Sequence, residues 1–417
     1  MNYRIVGAQL PDGTVTDLVV CDGRFVAEAP DAEVIDASGL VALPGLVDPH
    51  THLREPGRED AETVASGSLA AARGGYTAVC AMANTQPVTD TAEKAEHIAR
   101  LGEQAGLVQV APIGAITKGL GGKELAELAL MNRSRANVRM FSDDGLCVMD
   151  AAIMRRALEW VKPFGGVIAQ HAQDANLAGP GACCHESELS GRLGLGGWPP
   201  VAESAIIARD VMLAEATGSR VHVCHISTAE GVEVVRWAKR RGVQVTAEVT
   251  PHHLLLGTEL LAGYDTTFKV NPPLRTAEHR EAILEALIDG TIDVVGTDHA
   301  PHAPQDKDHA FADARPGMLG LEQALAVIME LALDRLGWSG IAERMSHAPA
   351  RLAGLAQQGR PLAAGEPANL VLVDPTARAV VDKHRSASLS RNNPYHGLEL
   401  PDPVRLTMWA GRITHRR

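Results

Sequence analysis

Two histidines one residue apart, His50 and His52, close an apolar run that begins at Leu43-Pro44-Gly45-Leu46. On an extended segment side chains alternate faces, so both imidazoles point the same way and can reach one metal ion. Further residues of ligand type close later apolar runs: Asp143-Asp144, His171, His225 and Asp298. Successive strand residues face opposite sides, so only one of Asp143 and Asp144 can join such a site. The same rule separates His222 from His225, three apart on one strand. Four imidazoles and two carboxylates make an N/O donor set suited to zinc and related divalent ions. Six ligands exceed what one tetrahedral zinc uses, and two metals sharing one carboxylate account for the number. Such a centre activates water for hydrolysis.

The elements that must position these groups follow from the period of the apolar residues. Short β-rich runs at 41–50, 76–84, 107–115, 138–144, 166–171, 220–227, 243–253 and 292–302 alternate with helical patterns such as 61–73, 90–105, 150–161, 201–217, 228–241, 276–289 and 319–336. Eight strand-then-helix units predict an α/β fold, a parallel (β/α)8 TIM barrel with its site at the C-terminal ends of the strands. The candidate ligands fall at those ends. The flanks instead read as short strands around the turn signals Pro11-Asp12-Gly13 and Cys21-Asp22-Gly23, a style resumed at Ala368-Asn369-Leu370-Val371. Neither flank can bury its own core, so the two are expected to form one small β-sandwich, 1–44 with 352–417, around a barrel at 45–351. Two long loops, 174–200 and 303–319, are candidate lids.

Composition narrows the chemistry. A net charge of −12 with 3% aromatic residues gives no basic, stacking surface for nucleic acid, so a small molecule is the expected partner. The six cysteines include no Cys-x-x-Cys pair, which argues against thiolate metal sites, and most sit in apolar runs as small hydrophobes. Neither a signal-peptide core nor an apolar stretch of membrane-spanning length is visible, and a soluble, cytoplasmic protein is expected.

Six motifs in order carry a resemblance over essentially the whole chain: Asp48-Pro49-His50-Thr51-His52-Leu53-Arg54, Met82-Ala83-Asn84-Thr85, Phe141-Ser142-Asp143-Asp144-Gly145, Cys224-His225-Ile226-Ser227-Thr228, Lys269-Val270-Asn271-Pro272-Pro273-Leu274-Arg275 and Gly296-Thr297-Asp298-His299-Ala300-Pro301-His302. Together they resemble the amidohydrolase superfamily and, in detail, its class I bacterial dihydroorotase family. The resemblance implies that His50, His52 and Asp298 hold one zinc ion and His171 and His225 a second. Many relatives join the metals with a carboxylated lysine, but 134–150 contains no lysine. Class I relatives place an aspartate there, which selects Asp144 as the bridge and leaves Asp143 to cap a turn.

The resemblance further implies reversible cyclisation of N-carbamoyl-L-aspartate to L-dihydroorotate, in pyrimidine biosynthesis, through a zinc-bound hydroxide, with Asp298 as the catalytic proton shuttle. Arg54, two residues past His52, offers a planar fork for the substrate carboxylate. Asn84 and His302 resemble further carboxylate contacts, Asn271 a contact to the ring, and Pro316-Gly317 a backbone contact. A homo-oligomer, and an association with aspartate transcarbamoylase, are also implied. The alternatives are another cyclic amidohydrolase (dihydropyrimidinase, hydantoinase or allantoinase) or a non-catalytic dihydroorotase-like subunit of the transcarbamoylase. The lysine bridge common in the former is missing, and the ligands that degenerate subunits lose are all present. His222, His252, His253 and His347 read as structural, and His185 as a solvated loop residue.

Overall fold

The computed structural model describes residues 2–417. Eight parallel strands, Leu46–Thr51, Tyr76–Ala81, Gln109–Pro112, Met140–Phe141, Val167–Gln170, Arg220–Val223, Val245–Val249 and Val294–Val295, follow one another around a barrel. They form two arcs, the first to third strands and the fourth to eighth. Single parallel bridges, Gly114 to Phe141 and Thr51 to His299, join the arcs and close the ring. Each strand is followed by a helix, and closure leaves no unpaired edge in the barrel.

The helices begin and end where the sequence supplies caps. Thr63 forms a reciprocal capping box with Ser66 ahead of Val64–Arg73, and the Asp150 carboxylate accepts from Ala152 N and Ile153 N ahead of Ala151–Val161. Gly218, in the left-handed region, ends Val201–Thr217. The helix after the third strand, Leu128–Arg133, is only six residues long and was not among the expected elements.

The expected strand at 41–50 divides at Gly45. Val41–Pro44 pairs antiparallel with Leu370–Val373 in the terminal sheet, and Leu46–Thr51 opens the barrel. The same apolar run therefore serves two sheets. A Cβ at Gly45 would lie 2.3 Å from the side chain of Thr77, so only glycine lets the chain cross between them. The expected strands at 243–253 and 292–302 are also shorter. Thr250 caps a helix, Pro251–Leu255, and past Val295 the chain leaves strand geometry, with Asp298 at φ 44°.

Both termini share one eight-stranded sheet, in which Val41–Pro44 and Leu370–Val373 are neighbours. Its edge strand Arg24–Val26 also bonds back to 365–368, through Phe25 N to Glu366 O and Ala368 N to Gly23 O, both 2.9 Å. The sheet thus curls around a core that includes Tyr3, Ile5, Phe25, Leu370, Leu406 and Met408. The tail does not stay there: between Leu370–Val373 and Val404–Trp409 it crosses to the barrel mouth, where Ser388 and Asn392 are buried. The 174–200 loop is structured as well. Ala182–His185 pairs with Gly196–Trp198 around the helix Glu188–Leu193, with Trp198 buried.

Gly45→Ala should force the β-branched, fully buried Thr77 to move, a change costing about 1–3 kcal/mol. Gly191→Ala, on a helix with open space around it, should leave stability within about 1 kcal/mol. Denaturant melts compare the two, and a Gly45→Ala protein as stable as the parent would contradict the junction described.

Candidate metal centre

Five barrel strands deliver the predicted ligands to one buried cluster. His50 lies on the first strand and His52 just beyond it, with Asp144 after the fourth, His171 after the fifth, His225 after the sixth and Asp298 after the eighth. Asp144 stands at the centre. Its Oδ1 is 3.5 Å from His50 Nε2, 3.5 Å from His171 Nδ1 and 3.3 Å from His225 Nε2, and its Oδ2 is 3.3 Å from His52 Nε2. Asp298 Oδ1 lies 3.0 Å from His52 Nε2 and 3.6 Å from His50 Nε2. Two donor groups, His50-His52-Asp298 and His50-Asp144-His225, are each compact enough to close on an ion. His171 Nδ1 adds to the second, 2.9 Å from His225 Nε2.

The electrostatics call for cations. Burial alone would raise the Asp144 carboxyl, but His50, His171 and His225 override it and hold it well below the usual carboxylate range. Asp298 is likewise held low against burial, chiefly by His52 and His50. His50 is driven up, its burial outweighed by Glu248 and Asp144. Buried carboxylates among imidazoles need compensating positive charge, from protons on the rings or from metal ions. His50 Nε2 is buried without a hydrogen-bond partner, although it faces both aspartates. A divalent ion satisfies that nitrogen and the carboxylates together, so the donor set fits a metal centre.

Asp143 is turned away. Its Oδ1 accepts from Ile116 N at 2.8 Å and Thr117 N at 3.0 Å, and its Oδ2 from the Thr117 hydroxyl, so it ties the loop after the third strand in place. The expectation that only one of His222 and His225 faces inward fails. The strand ends at Val223 and His225 has φ 32°, which breaks the two-residue alternation. His222 therefore also faces the interior, beneath the ligand cluster, with Nε2 3.1 Å from Glu248 Oε2.

Glu248, on the seventh strand, was not anticipated. Its Oε1 meets His50 Nδ1 at 2.5 Å and accepts from His225 N at 3.1 Å. It thereby fixes the ring that presents Nε2 to the centre. A lone acid inside the apolar run Val245–Val249 was the available signal. Asp48 has a comparable role, with its two oxygens taking Thr297 N at 2.9 Å and Thr297 Oγ1 at 2.6 Å, so it pins the eighth strand to the first. Burial raises its carboxyl to about 6.

Arg54 stands beside the cluster at φ 60°, a strained position for an arginine. Its Nε donates to Pro301 O at 3.0 Å, and burial lowers its pKa to about 10. Nη2 is 3.4 Å from His302 Nε2, but that nitrogen also lies 2.8 Å from Pro316 O. His302 is neutral, its pKa pushed down to about 2 by burial and then by Arg54 and Lys307. The short contact makes its Nε2–H the donor to Pro316 O, so it cannot also accept from Arg54. The Nη edge of the guanidinium remains open to an anion.

The other expected contacts are partly engaged. Asn84 Oδ1 is 2.9 Å from His52 Nδ1, and its Nδ2 donates to Asp144 O at 3.2 Å, so it orients the His52 ring. Asn271 Nδ2 lies 3.3 Å from His171 Nε2 and 3.2 Å from Gln173 Oε1. Gly317 N donates to Lys269 O at 2.9 Å. His185, expected to be solvated, is buried, because the ordered 182–198 segment covers it and Arg275 Nη1 reaches its Nδ1 at 3.1 Å. Arg275 also stacks 5.3 Å from the Trp198 ring. His253 and His347 bond to backbone carbonyls, Pro272 O at 2.9 Å and Gly359 O at 2.7 Å.

Residues 39–231 match the family model described as dihydro-orotase-like. The chain is 58% identical over 418 residues to a dihydroorotase of Streptomyces coelicolor, covering 98% of this chain and 97% of the relative. A dihydroorotase of Leifsonia xyli subsp. xyli is 55% identical, covering 99% and 95%. Among solved structures, a dihydropyrimidinase from Brevibacillus agri superposes with a TM-score of 0.87 at 22% identity, covering 100% of this chain and 95% of that one. That likeness bears on the fold alone.

Glu248→Gln keeps the shape but removes the charge that orients His50 and His222. Metal affinity, measured by chelator competition on the folded variant, should fall about 10- to 100-fold. Affinity equal to that of the parent would show that Glu248 does not support the centre.

Proposed function

We propose, from the premise that this chain belongs to the dihydroorotase family, that it interconverts L-dihydroorotate and N-carbamoyl-L-aspartate. The observation that carries the reading is Arg54, a half-buried guanidinium with an open edge beside a cluster of metal-ligand type. A planar fork in that place suits a substrate carboxylate taken in two-point fashion.

In this reading His50, His52, Asp144, His171, His225 and Asp298 are the residues that would hold the divalent ions, His50, His52 and Asp298 on one side of Asp144 and His171 and His225 on the other. Bound there, such ions would lower the pKa of water and polarise the carbonyl under attack. Asp298, kept ionised by its histidine neighbours, accepts the proton of the attacking water and returns it to the departing ring nitrogen. In the reverse direction it takes a proton from the carbamoyl nitrogen as that nitrogen closes on the side-chain carboxyl, and passes it to the carboxyl oxygen whose bond to carbon breaks, which leaves as water with a second proton from solvent. Asn84 and Glu248 hold the rings of His52 and His50 from behind, which keeps the nitrogens aimed inward. Asn271, near His171, stands where the ring of the substrate would be oriented. Arg54, with His302 and the Pro316-Gly317 backbone, receives the carboxylate.

Zinc, two ions per subunit, is the metal we favour, because imidazole and carboxylate donors suit it. The proposal extends to a cytoplasmic homo-oligomer able to associate with aspartate transcarbamoylase; no helix among the described residues is long and apolar enough to cross a membrane. A hydantoinase-type specificity is disfavoured. The structural neighbours with such names share the fold at low identity, whereas the 58% identical relative is a dihydroorotase.

The test measures turnover of dihydroorotate beside dihydrouracil, hydantoin and allantoin, in the parent and in Arg54 variants. Losing a charge-assisted contact in a partly desolvated site costs roughly 2–5 kcal/mol, so Arg54→Met should lower kcat/KM for dihydroorotate about 30-fold to several thousandfold. Lysine should restore part, keeping the charge and losing the fork. Any activity on neutral dihydrouracil should hardly change. Unaltered dihydroorotate kinetics in Arg54→Met, or a parent that prefers dihydrouracil, would replace this reading with a dihydropyrimidinase-like one.

A further inference from the structure

The open edge of Arg54 is useful only if the residues around it are held, and the segment that holds them comes from the far end of the chain. Asn392, buried, spends its whole side-chain amide on the rim of the barrel. Its Oδ1 accepts from His302 N at 3.1 Å, and its Nδ2 donates to Ala300 O at 2.9 Å and Gly317 O at 3.0 Å. Its backbone oxygen accepts from Leu319 N at 3.1 Å. These four bonds join 300–302 to 317–319, the two ends of the 303–319 loop. Ala300 N to Met318 O, 2.7 Å, is the direct bond across the same neck. Asn392 therefore closes the loop at its base and fixes His302, whose ring holds Pro316 O and borders Arg54.

The segment bearing Asn392 is tied down on both sides. Ahead of it the Ser388 hydroxyl and Leu389 N bond to the buried Glu62 carboxylate, and Ser390 Oγ donates to Ala61 O at 2.7 Å. Behind it Asn393 Nδ2 donates to Gln323 Oε1 at 3.0 Å, and Tyr395 is wholly buried. A strap anchored over the first and eighth strand ends cannot shift freely, so Asn392 is presented rigidly. Buried amides with every group bonded specify one arrangement of the segments they join.

We infer that Asn392 is a positioning residue for the substrate carboxylate, acting through His302 and the Pro316-Gly317 turn, so that the C-terminal strap completes a subsite otherwise built by the barrel. This rests on the reading of Arg54 given above. Asn392→Ala removes all the side-chain bonds, and the near-isosteric Asn392→Asp keeps the acceptor but loses both donations. A misplacement transmitted to the site costs up to about a hundredfold, so KM for dihydroorotate should rise between about ten- and a hundredfold. In both variants kcat should change less and metal content should stay that of the parent. Leu389→Ala, on the same strap but with its side chain exposed and only its backbone bonded, should leave KM within about twofold.

Coupling supplies a readout that general loosening would not move. His302→Ala and Asn392→Ala should be strongly non-additive in kcat/KM, because they disable one unit. The inference is overturned if Asn392→Asp keeps the parent KM, if both Asn392 variants lose metal and kcat at unchanged KM, or if the double variant is simply additive. Arg54→Met, run alongside, separates the two failures. If it too leaves KM unchanged, the carboxylate reading has failed, and if it alone raises KM, the role given to Asn392 has failed.

Discussion

The contact of one buried carboxylate, Asp144, with four imidazoles is the constraint around which the molecule is organised. Those rings come from the first, fifth and sixth strands, and Asp298 from the eighth. They can meet only if the sheet closes into a ring, which makes the two single bridges between the arcs as consequential as the longer ladders. Charge makes the same demand. Asp144, Asp298 and Glu248 are all buried together, an arrangement that is costly unless protons or metal ions balance it. In the proposed enzyme that imbalance becomes a preference for divalent ions, and the ions supply the chemistry.

Around that contact the support is layered by depth in the barrel. Glu248 and His222 lie beneath and aim His50, while Asp48 locks the first strand to the eighth and so sets His50 against Asp298. Above lies the less uniform part, Arg54, His302 and the 303–319 loop. Three of the non-glycine residues at positive φ, Arg54, His225 and Asp298, sit at this face. Each is where the chain leaves a strand, and leaving it lets neighbouring side chains converge instead of alternating. Such conformations persist only when the surroundings over-determine them, as the bonds of Arg54 to Pro301 and of His225 N to Glu248 do.

Much of this could be read from the chain itself. The eight apolar runs each correspond to a barrel strand, because a strand buried on both faces reads as a nearly continuous apolar run. The histidines and aspartates at the run ends were recognisable because the strand ends of this fold face the site. What escaped has identifiable causes. Period two holds only inside a ladder, so it misjudged His222 and His225, where the ladder stops at Val223. An apolar run does not say which sheet it serves, so the division at Gly45 was invisible until Thr77 was placed against it. Glycine-rich composition suggested an open loop around His185, whereas Trp198 and Arg275 give that segment its own small core. Asn392, 75 to 90 residues from the loop ends it joins, has no local signature.

In the proposed enzyme Asp144 takes the place of a modified lysine and joins two ions. Anomalous diffraction from crystals of the zinc-loaded protein locates the ions relative to that carboxylate. Two metal peaks are expected on either side of the Asp144 carboxylate, one among His50, His52 and Asp298 and the other between His171 and His225. A single peak under saturating metal, or two peaks that Asp144 does not touch, would contradict that role.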